Sequence, residues 1–315
     1  MPRKRFIRVL LYSLLIVFIA ANVLAYNHAH KFTNFSKVPE TGFDTDNLSL
    51  GEKIKYACMG VDNPRPCTKT YPAGQFETVY IKSNTDLECW MLRAENPKGT
   101  VLMFHGYKAD KSDLLDRAYI INNAGYNTLL VDFMGSGGSA GSEVTIGYHE
   151  AQNVSDCYNY IAKQGEENIM LFGISMGAAA IMRSIAVDSI SPKAVVIEAP
   201  FGSMLRAVTN RFGNVGFPPF PMAQLLVFWG GVQHGFWAFG HNPAEYAKQI
   251  NCPVMIIYGA KDDRVTMDEI TDIQDNIRSD CKLAVYPNAG HVNFLTGYRQ
   301  QWANDVLSFA GKWVK

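Results

Sequence analysis

The residues with the clearest chemical potential surround Ser175, in the string Gly173-x-Ser175-x-Gly177. An apolar run at residues 169–172 precedes the string and an alanine-rich run follows it. This pattern predicts a strand, a tight turn and a helix. The two glycines fit such a turn because larger side chains two residues before and after the serine would clash. A serine exposed at the N-terminus of a helix, where the dipole favours negative charge, is typical of a nucleophile.

A serine hydroxyl needs a general base, and the base needs a group that orients it. His291 follows a predicted strand at residues 282–286, and Asp262 and Asp263 follow another at 254–258. These positions lie at the carboxyl ends of strands, the edge at which open α/β sheets bind their ligands. We expect His291 to take the proton of Ser175, with one of the two aspartates holding the imidazole.

The loop after another predicted strand is the expected site for stabilising the negative charge that develops on a substrate. An apolar run at residues 101–104 is followed by His105-Gly106-Tyr107. The backbone N–H of Tyr107 is expected to join that of Met176 in an oxyanion hole. His105 itself is expected to shape this loop rather than to act as a base.

The elements that must position these residues alternate along the chain from Phe76 onwards. Two strands, at 76–82 and 86–93, predict an antiparallel hairpin. Six short apolar runs predict further strands at 101–104, 128–132, 169–172, 194–198, 254–258 and 282–286. Helices are predicted near 111–123, 148–163, 176–187, 266–278 and 296–311. The alternation predicts an α/β fold with an eight-stranded, mostly parallel sheet and helices on both faces.

One interval, at about residues 201–250, is too long for a plain crossover between strands. It is rich in Phe and Trp, and Pro218, Pro219 and Pro221 separate two predicted helices. We interpret it as a small helical cap over the carboxyl edge of the sheet.

These motifs together resemble those of a known group of enzymes. The strings are His105-Gly106-Tyr107, Gly173-x-Ser175-x-Gly177, Gly259-x-x-Asp262-x-x-Val265 and Gly290-His291. They resemble the α/β-hydrolase superfamily, and within it the bacterial serine aminopeptidase-like and acyl-ester hydrolases, over about residues 76–315. The resemblance implies the α/β-hydrolase fold, an acyl-enzyme on Ser175, and Asp262 rather than Asp263 as the acid. It does not imply a substrate, because the superfamily acts on many.

Three functions are compatible with this resemblance. Cleavage of carboxylic esters or thioesters of lipophilic acyl groups is favoured by the aromatic cap and by an apolar N-terminus. Amide or peptide hydrolysis would need a site for an amine, and Glu245 is the only carboxylate between Glu198 and Asp262. A catalytically silent, membrane-tethered binding module would be expected to lack a catalytic residue, whereas all three positions are filled.

No cofactor and no metal are expected. The run Gly135-Ser136-Gly137-Gly138-Ser139-Ala140 matches a dinucleotide-binding pattern. A dinucleotide loop must open a helix directly, however, and the next predicted helix begins only near Tyr148. We therefore interpret the match as coincidental. No Cys-x-x-Cys string suggests a zinc site.

The first 25 residues have a different character. Arg3, Lys4, Arg5 and Arg8 precede an apolar run at residues 9–25, at the short edge of what spans a bilayer. We expect an uncleaved signal anchor with the catalytic domain outside the cytoplasm, because basic residues stay on the cytoplasmic side. The alternative is a signal peptide cleaved near Ala25, giving a secreted protein. Residues 26–75 then form a juxtamembrane connector, and residues 76–315 the hydrolase domain.

Composition excludes one class of partner. Lys plus Arg and Asp plus Glu both total 29, so the formal net charge is zero, without the basic excess of a nucleic-acid binder. The expected partners are a small lipophilic acyl substrate and the membrane. In an exported protein Cys58 could pair with Cys67, and Cys252 with Cys281. Free thiols are the equally weighted alternative.

Overall fold

The central sheet has eight strands, as the sequence predicts. A computed structural model describes residues 2–37, 49–214, 216–291 and 294–315. The strands are β3 (Glu77–Lys82), β4 (Asp86–Leu92), β5 (Thr100–Phe104), β6 (Asn127–Val131), β7 (Ile169–Ile174), β8 (Ala194–Glu198), β9 (Val254–Gly259) and β10 (Cys281–Tyr286). Their order is β10-β9-β8-β7-β5-β6-β4-β3. The six strands from β10 to β6 run parallel, and β4 and β3 close the other edge as an antiparallel hairpin.

Helices cover both faces of this sheet. They are α3 (Leu115–Asn123), α4 (Glu150–Ala162), α5 (Met176–Asp188), α9 (Met267–Asn276) and α10 (Leu295–Trp313), each within a few residues of its predicted position. Every residue of β5, β6, β8 and β9 is buried. The apolar side chains of these strands divide into two clusters, one on each face. This explains why the strands read as continuous apolar runs rather than as alternating ones.

The Gly-rich run after β6 is a pinned loop. The Asp132 carboxylate accepts the Gly138 N–H at 2.7 Å and pairs with the buried ammonium of Lys111. A Cβ on Gly137 would lie 2.0 Å from that carboxylate. From outside, Arg65 donates to the carbonyl of Gly137 at 2.8 Å. Because the loop is occupied by the protein's own groups and leads into no helix, the expectation that it binds no dinucleotide remains in place.

The cap contains the two predicted helices. They are α6 (Met204–Asn214) and α7 (Met222–Gln233), followed by the short α8 (Pro243–Tyr246). His241 fixes the cap to the loop between β6 and α4. Its buried imidazole bonds the carbonyl oxygen of Ile146 at 3.0 Å and the hydroxyl of Tyr246 at 3.3 Å.

The N-terminal helix extends further than expected. α1 (Pro2–Thr33) has 32 residues, or about 48 Å at 1.5 Å per residue. It includes the one helix segment of the described residues that is long and apolar enough to cross a membrane, Lys4–Thr33, in which an 18-residue window has a mean hydropathy of 2.3. Residues 4–20 are all exposed, whereas Ala25 and Ala29 are buried against the cap. Here Asn22 accepts a 3.1 Å hydrogen bond from the Trp229 indole.

The segment that we expected to begin as a connector at residue 26 therefore starts as the docked end of α1. Beyond it lie α2 (Leu50–Met59) and a small parallel pair, β1 (Phe35–Ser36) and β2 (Asn63–Pro64). Residues 38–48 of the connector lie outside the described residues. Repeated apolar residues at helical spacing after position 25 are too few to signal this docking, which depends on contacts with α7.

The side chains of five of the six cysteines are described, and each carries a free thiol. Because Cys252 and Cys281 are both free, they form no bridge with each other, and Cys67 is free as well. The free-thiol alternative therefore holds for these three cysteines. The side chain of Cys58 lies outside the described part of the chain. Burial raises the pKa of the Cys252 thiol to about 12, which makes it a poor thiolate nucleophile.

The attachment of the cap makes stability depend on pH. Burial lowers the pKa of His241 to about 4, below the ordinary value of about 6.5 that applies in the unfolded chain. The unfolded state therefore takes up a proton first, so this contribution is present above pH 6.5 and is lost as the pH falls toward 4. We expect the loss to be roughly 3 kcal/mol. Urea unfolding at several pH values measures it.

His241→Gln should flatten the dependence of unfolding free energy on pH between 6.5 and 4. The same substitution at the exposed His30 serves as the control and should leave the slope unchanged. Parallel slopes in all three proteins would contradict the assignment.

Candidate active site

Ser175 occupies a strained turn between β7 and α5. Its backbone has φ 50° and ψ −103°, a conformation that a side chain other than glycine rarely adopts. The turn is held by a hydrogen bond of 2.8 Å from the Ser175 N–H to the carbonyl of Glu198, at the end of β8. Backbone strain that the surrounding contacts hold in place is a feature of functional sites.

The glycines on either side of Ser175 are required by close approach. A Cβ on Gly173 would lie 2.6 Å from the backbone of Gly177, and a Cβ on Gly177 would lie 2.4 Å from the carbonyl oxygen of Phe104. Both distances are below any real van der Waals contact. The glycine spacing seen in the sequence therefore has the steric cause that we expected.

The structure brings together the predicted nucleophile, base and acid. His291 Nε2 lies 3.2 Å from Ser175 Oγ, and His291 Nδ1 lies 2.7 Å from Asp262 Oδ2. The other oxygen of Asp262 accepts the backbone N–H groups of Arg264 at 2.8 Å and Val265 at 3.0 Å. The Asp262 side chain is fully buried. This is the geometry in which a carboxylate fixes the orientation and tautomer of an imidazole.

Asp263 has a different position. It is exposed, and its backbone carbonyl accepts a 2.6 Å hydrogen bond from Asn214 in the cap. Of the two aspartates that the sequence offers, only Asp262 contacts His291 in the described residues. The choice that the family resemblance implies is thus the one that the geometry favours.

Neighbouring strands explain how acid and base meet. β9 and β10 are paired in parallel up to Gly259 and Tyr286, so the loops that follow them leave the sheet side by side. A Cβ on Gly259 would lie 2.4 Å from the carbonyl oxygen of Ala289. Glycine at position 259 therefore lets the loop with Asp262 lie directly against the loop with His291.

The expected oxyanion donors flank Ser175. Met176 begins α5, and Tyr107 lies in the loop after β5 that borders the same cleft. Neither backbone N–H has an acceptor among the described residues. Two free N–H groups on either side of a serine are what an oxyanion hole requires.

His105 has a structural position, as expected. The backbone N–H of Phe133 donates to its Nε2 at 3.1 Å, so that nitrogen carries no proton. Nδ1 then donates to the carbonyl of Gly106 at 2.8 Å. Both nitrogens are engaged and the ring is buried, so His105 ties the ends of β5 and β6 together beside the cleft.

A contact that sequence reasoning missed links this loop to α1. The Tyr107 hydroxyl donates a 2.7 Å hydrogen bond to the carbonyl of Phe32, and the two rings stack with centroids 4.6 Å apart. Burial raises the pKa of the Tyr107 hydroxyl, which therefore stays protonated as a donor. The partners are 75 positions apart, and no local pattern in the sequence signals such a contact.

The cleft above Ser175 is predominantly cationic. Its volume is about 270 Å³, and its lining includes the acidic Asp113 and the basic Arg117, Arg211 and Arg264 beside Ser175 and His291. Arg117 is neutralised by a buried bidentate pair with Glu198, at 2.7 and 3.1 Å. Arg211 and Arg264 have no carboxylate within ion-pair distance among the described residues. Burial and the neighbouring Arg264 lower the pKa of Arg211, which stays charged at neutral pH.

Among the described residues no group of three or more His, Cys, Asp or Glu side chains has the arrangement to hold an ion. The side chains of the site can transfer a proton from Ser175 to His291, with Asp262 orienting the imidazole, and the serine oxygen can then attack an electrophile.

Two protein-family models match the chain, each over one part of the site. The model described as serine aminopeptidase matches residues 95–226, which include Tyr107 and Ser175. The model of the dienelactone hydrolase family matches residues 221–308, which include Asp262 and His291. Together they span most of the region from β5 to α10. The uncharacterized protein YqkD of Bacillus subtilis (strain 168) is 20% identical over 228 residues, 71% of this chain and 75% of its own length.

Solved structures share the fold. The esterase Pf2001 of Pyrococcus furiosus superposes with a TM-score of 0.67 at 20% identity, over 81% of this chain and 100% of its own. Est1E of Butyrivibrio proteoclasticus, solved with ferulic acid, gives a TM-score of 0.59 at 17% identity, over 75% of this chain and 99% of its own. With the sheet order and the two family matches, these likenesses identify the chain as a member of the α/β-hydrolase superfamily.

Proposed function

We propose that the protein is a serine hydrolase that cleaves carboxylic ester bonds, thioesters included, through an acyl-enzyme on Ser175. The observation that carries the proposal is the continuous chain of contacts from Asp262 through His291 to Ser175 Oγ, on a strained turn at the carboxyl edge of the sheet. The esterases among its structural neighbours have the same fold and support this choice.

The roles follow from the geometry. His291 takes the Ser175 proton as the serine oxygen attacks the ester carbonyl, and Asp262 stabilises the imidazolium that forms. The N–H groups of Tyr107 and Met176 stabilise the oxyanion, each by an amount on the order of 3 kcal/mol. His291 then protonates the leaving alcohol. In the second half, His291 takes a proton from a water molecule as the water attacks the acyl-enzyme. It then returns the proton to the Ser175 oxygen as the carboxylic acid leaves.

Ester cleavage is favoured over peptide cleavage by the charges around the site. The family model described as serine aminopeptidase raises the alternative of an amide substrate. Glu245, the one carboxylate of the cap region, is paired with Lys248 at 2.7 Å and is absent from the cleft lining. Asp113 lines the cleft, but its carboxylate accepts the backbone N–H of Asp110. With Arg211 and Arg264 opposite it, this cleft disfavours a substrate ammonium group.

A fluorophosphonate probe tests the nucleophile. We expect it to label the full-length protein at one site and to leave Ser175→Ala unlabelled, because only an activated serine reacts. Thermal unfolding of both proteins checks that the variant is folded. No labelling of the folded wild type would favour the alternative of a catalytically silent, membrane-tethered binding module.

The two adjacent aspartates provide a matched pair of variants. Asp262→Asn should lower kcat/KM for a p-nitrophenyl ester by about three to four orders of magnitude, because the amide cannot both accept the N–H of Val265 and hold the imidazole in the required tautomer. Asp263→Asn should change it by less than about threefold, in the range of an exposed surface substitution. Equal losses in the two variants would overturn the assignment of the acid.

We also propose that α1 is an uncleaved signal anchor, with the hydrolase domain outside the cytoplasm. The basic residues at its start support this orientation. Ala25, the last residue before the alternative cleavage point, is fully buried against the cap within a continuous helix. A peptidase would have to open this helix to cut there.

Cell fractionation tests the location. The protein should remain in membranes washed with alkaline carbonate, its intact mass should include residues 1–25, and protease added outside the cytoplasmic membrane should digest the hydrolase domain. A mature protein that begins near Tyr26 would show that the signal is cleaved, and would favour the alternative of a secreted protein. Protection of the domain from protease would instead show that the domain lies on the cytoplasmic side.

A further inference from the structure

A second cavity lies between the docked end of α1 and the cap. Its volume is about 240 Å³. We name it the α1–cap cavity. Its apolar lining includes Ala29, Phe32, Val208, Phe212, Val227 and Phe236. α1 supplies one wall and α6 and α7 supply the others, so the cavity exists only because the N-terminal helix is docked.

The α1–cap cavity adjoins the catalytic cleft. Arg211 lines both. Phe32 lines the cavity and stacks on Tyr107, which lines the cleft beside Ser175. The partition between the two spaces is therefore a single layer of side chains, and a molecule bound in both would cross it next to Arg211.

The cavity also lies next to the exposed apolar part of α1, the segment that we propose as the membrane anchor. Earlier along α1, Phe18, Ile19 and Val23 line an open apolar hollow with Tyr26 and Trp229. The exposed apolar part of α1 precedes this hollow. An acyl chain leaving a bilayer along α1 would thus remain on apolar surface until it reached the cavity.

One polar group in the cavity has no partner. The His234 side chain is 3% exposed, and its Nε2 has no hydrogen bond among the described residues. Its other nitrogen lies 3.6 Å from the Glu143 carboxylate. Buried imidazole nitrogens are normally hydrogen-bonded, so this one indicates a place for a ligand or water.

We propose that the α1–cap cavity binds the acyl chain of the substrate, so that the enzyme acts on long-chain esters of membrane lipids. This inference rests on the proposed function and specifies its substrate class. The cavity has room for about eight water-sized groups of roughly 30 Å³, and a methylene is of similar size. Each methylene buried there could strengthen binding up to about fourfold.

Chain-length dependence tests the proposal with the full-length protein in nanodiscs of dialkyl-ether phosphatidylcholine, which offer no ester to compete. p-Nitrophenyl acetate, octanoate and decanoate are the substrates. We expect kcat/KM to rise at least tenfold from acetate to decanoate. An enzyme that prefers acetate would overturn the inference while leaving the proposed function intact.

Filling the cavity should remove this preference. Ala29→Phe, from the α1 wall, and Val208→Phe, from the α6 wall, should each lower the decanoate-to-acetate ratio of kcat/KM at least tenfold. Ala20→Phe, on the exposed face of the same helix, is the matched control and should leave the ratio unchanged. Ratios that stay at the wild-type value in both cavity variants would contradict the assignment.

A binding measurement separates the two proposals. Ser175→Ala in the same nanodiscs is irradiated with hexadecanoic acid carrying a diazirine, and the adducts are mapped by mass spectrometry. We expect them on residues 26–33, 204–214 or 222–233, and expect Ala29→Phe to remove them. Adducts elsewhere would overturn the cavity assignment. Adducts here in a protein whose wild type cleaves no ester would reject the proposed function alone.

Discussion

The backbone of Ser175 is the constraint on which the rest of the site depends. A residue at φ 50° is held only where the surrounding contacts leave it no alternative. Two strand ends supply them: the carbonyl of Phe104 allows no Cβ at Gly177, and the carbonyl of Glu198 accepts the Ser175 N–H. The three central strands must therefore keep their register to within a fraction of an ångström, which a sheet buried on both faces provides.

The support beneath this turn is ionic. The Glu198 carboxylate is fully buried, and it is held by the bidentate pair with Arg117 and by the Trp302 indole. A buried carboxylate without such partners would be strongly destabilising. Because the same residue bonds Ser175 through its backbone, the ion pair and the position of the serine are linked through Glu198.

Much of this arrangement follows from local pattern. The parallel strands are predictable because apolar runs bounded by loops have few other solutions, and the loops after β7, β9 and β10 must then emerge at one edge. That edge predicts Ser175, His291 and one of the two aspartates as neighbours, and His291 lies within hydrogen-bond reach of both Ser175 and Asp262. The choice of Asp262 over Asp263 comes from the family resemblance, through the spacing Gly259-x-x-Asp262-x-x-Val265.

What could not be predicted involves contacts between distant segments. The docking of α1 depends on Trp229 and Gln233, about two hundred residues further along the chain. Nothing in the composition of residues 26–33 distinguishes a docked helix end from a connector. The positions of Arg211 and Arg264 at the cleft could likewise not be predicted, since a single Arg in a helix or loop gives no sign of the space that it lines.

The contact between Tyr107 and Phe32 bears on how this protein can be handled. It is common practice to delete an N-terminal hydrophobic helix to obtain a soluble enzyme. Here a deletion through residue 33 would remove the acceptor of the Tyr107 hydroxyl, leave Trp229 without its partner Asn22 and uncover the apolar faces of α6 and α7. The shortened protein would expose an aggregation-prone aromatic surface directly beside its catalytic loop. The deletion would therefore fail to give a well-behaved soluble protein. Kinetic constants measured on it would not apply to the full-length enzyme.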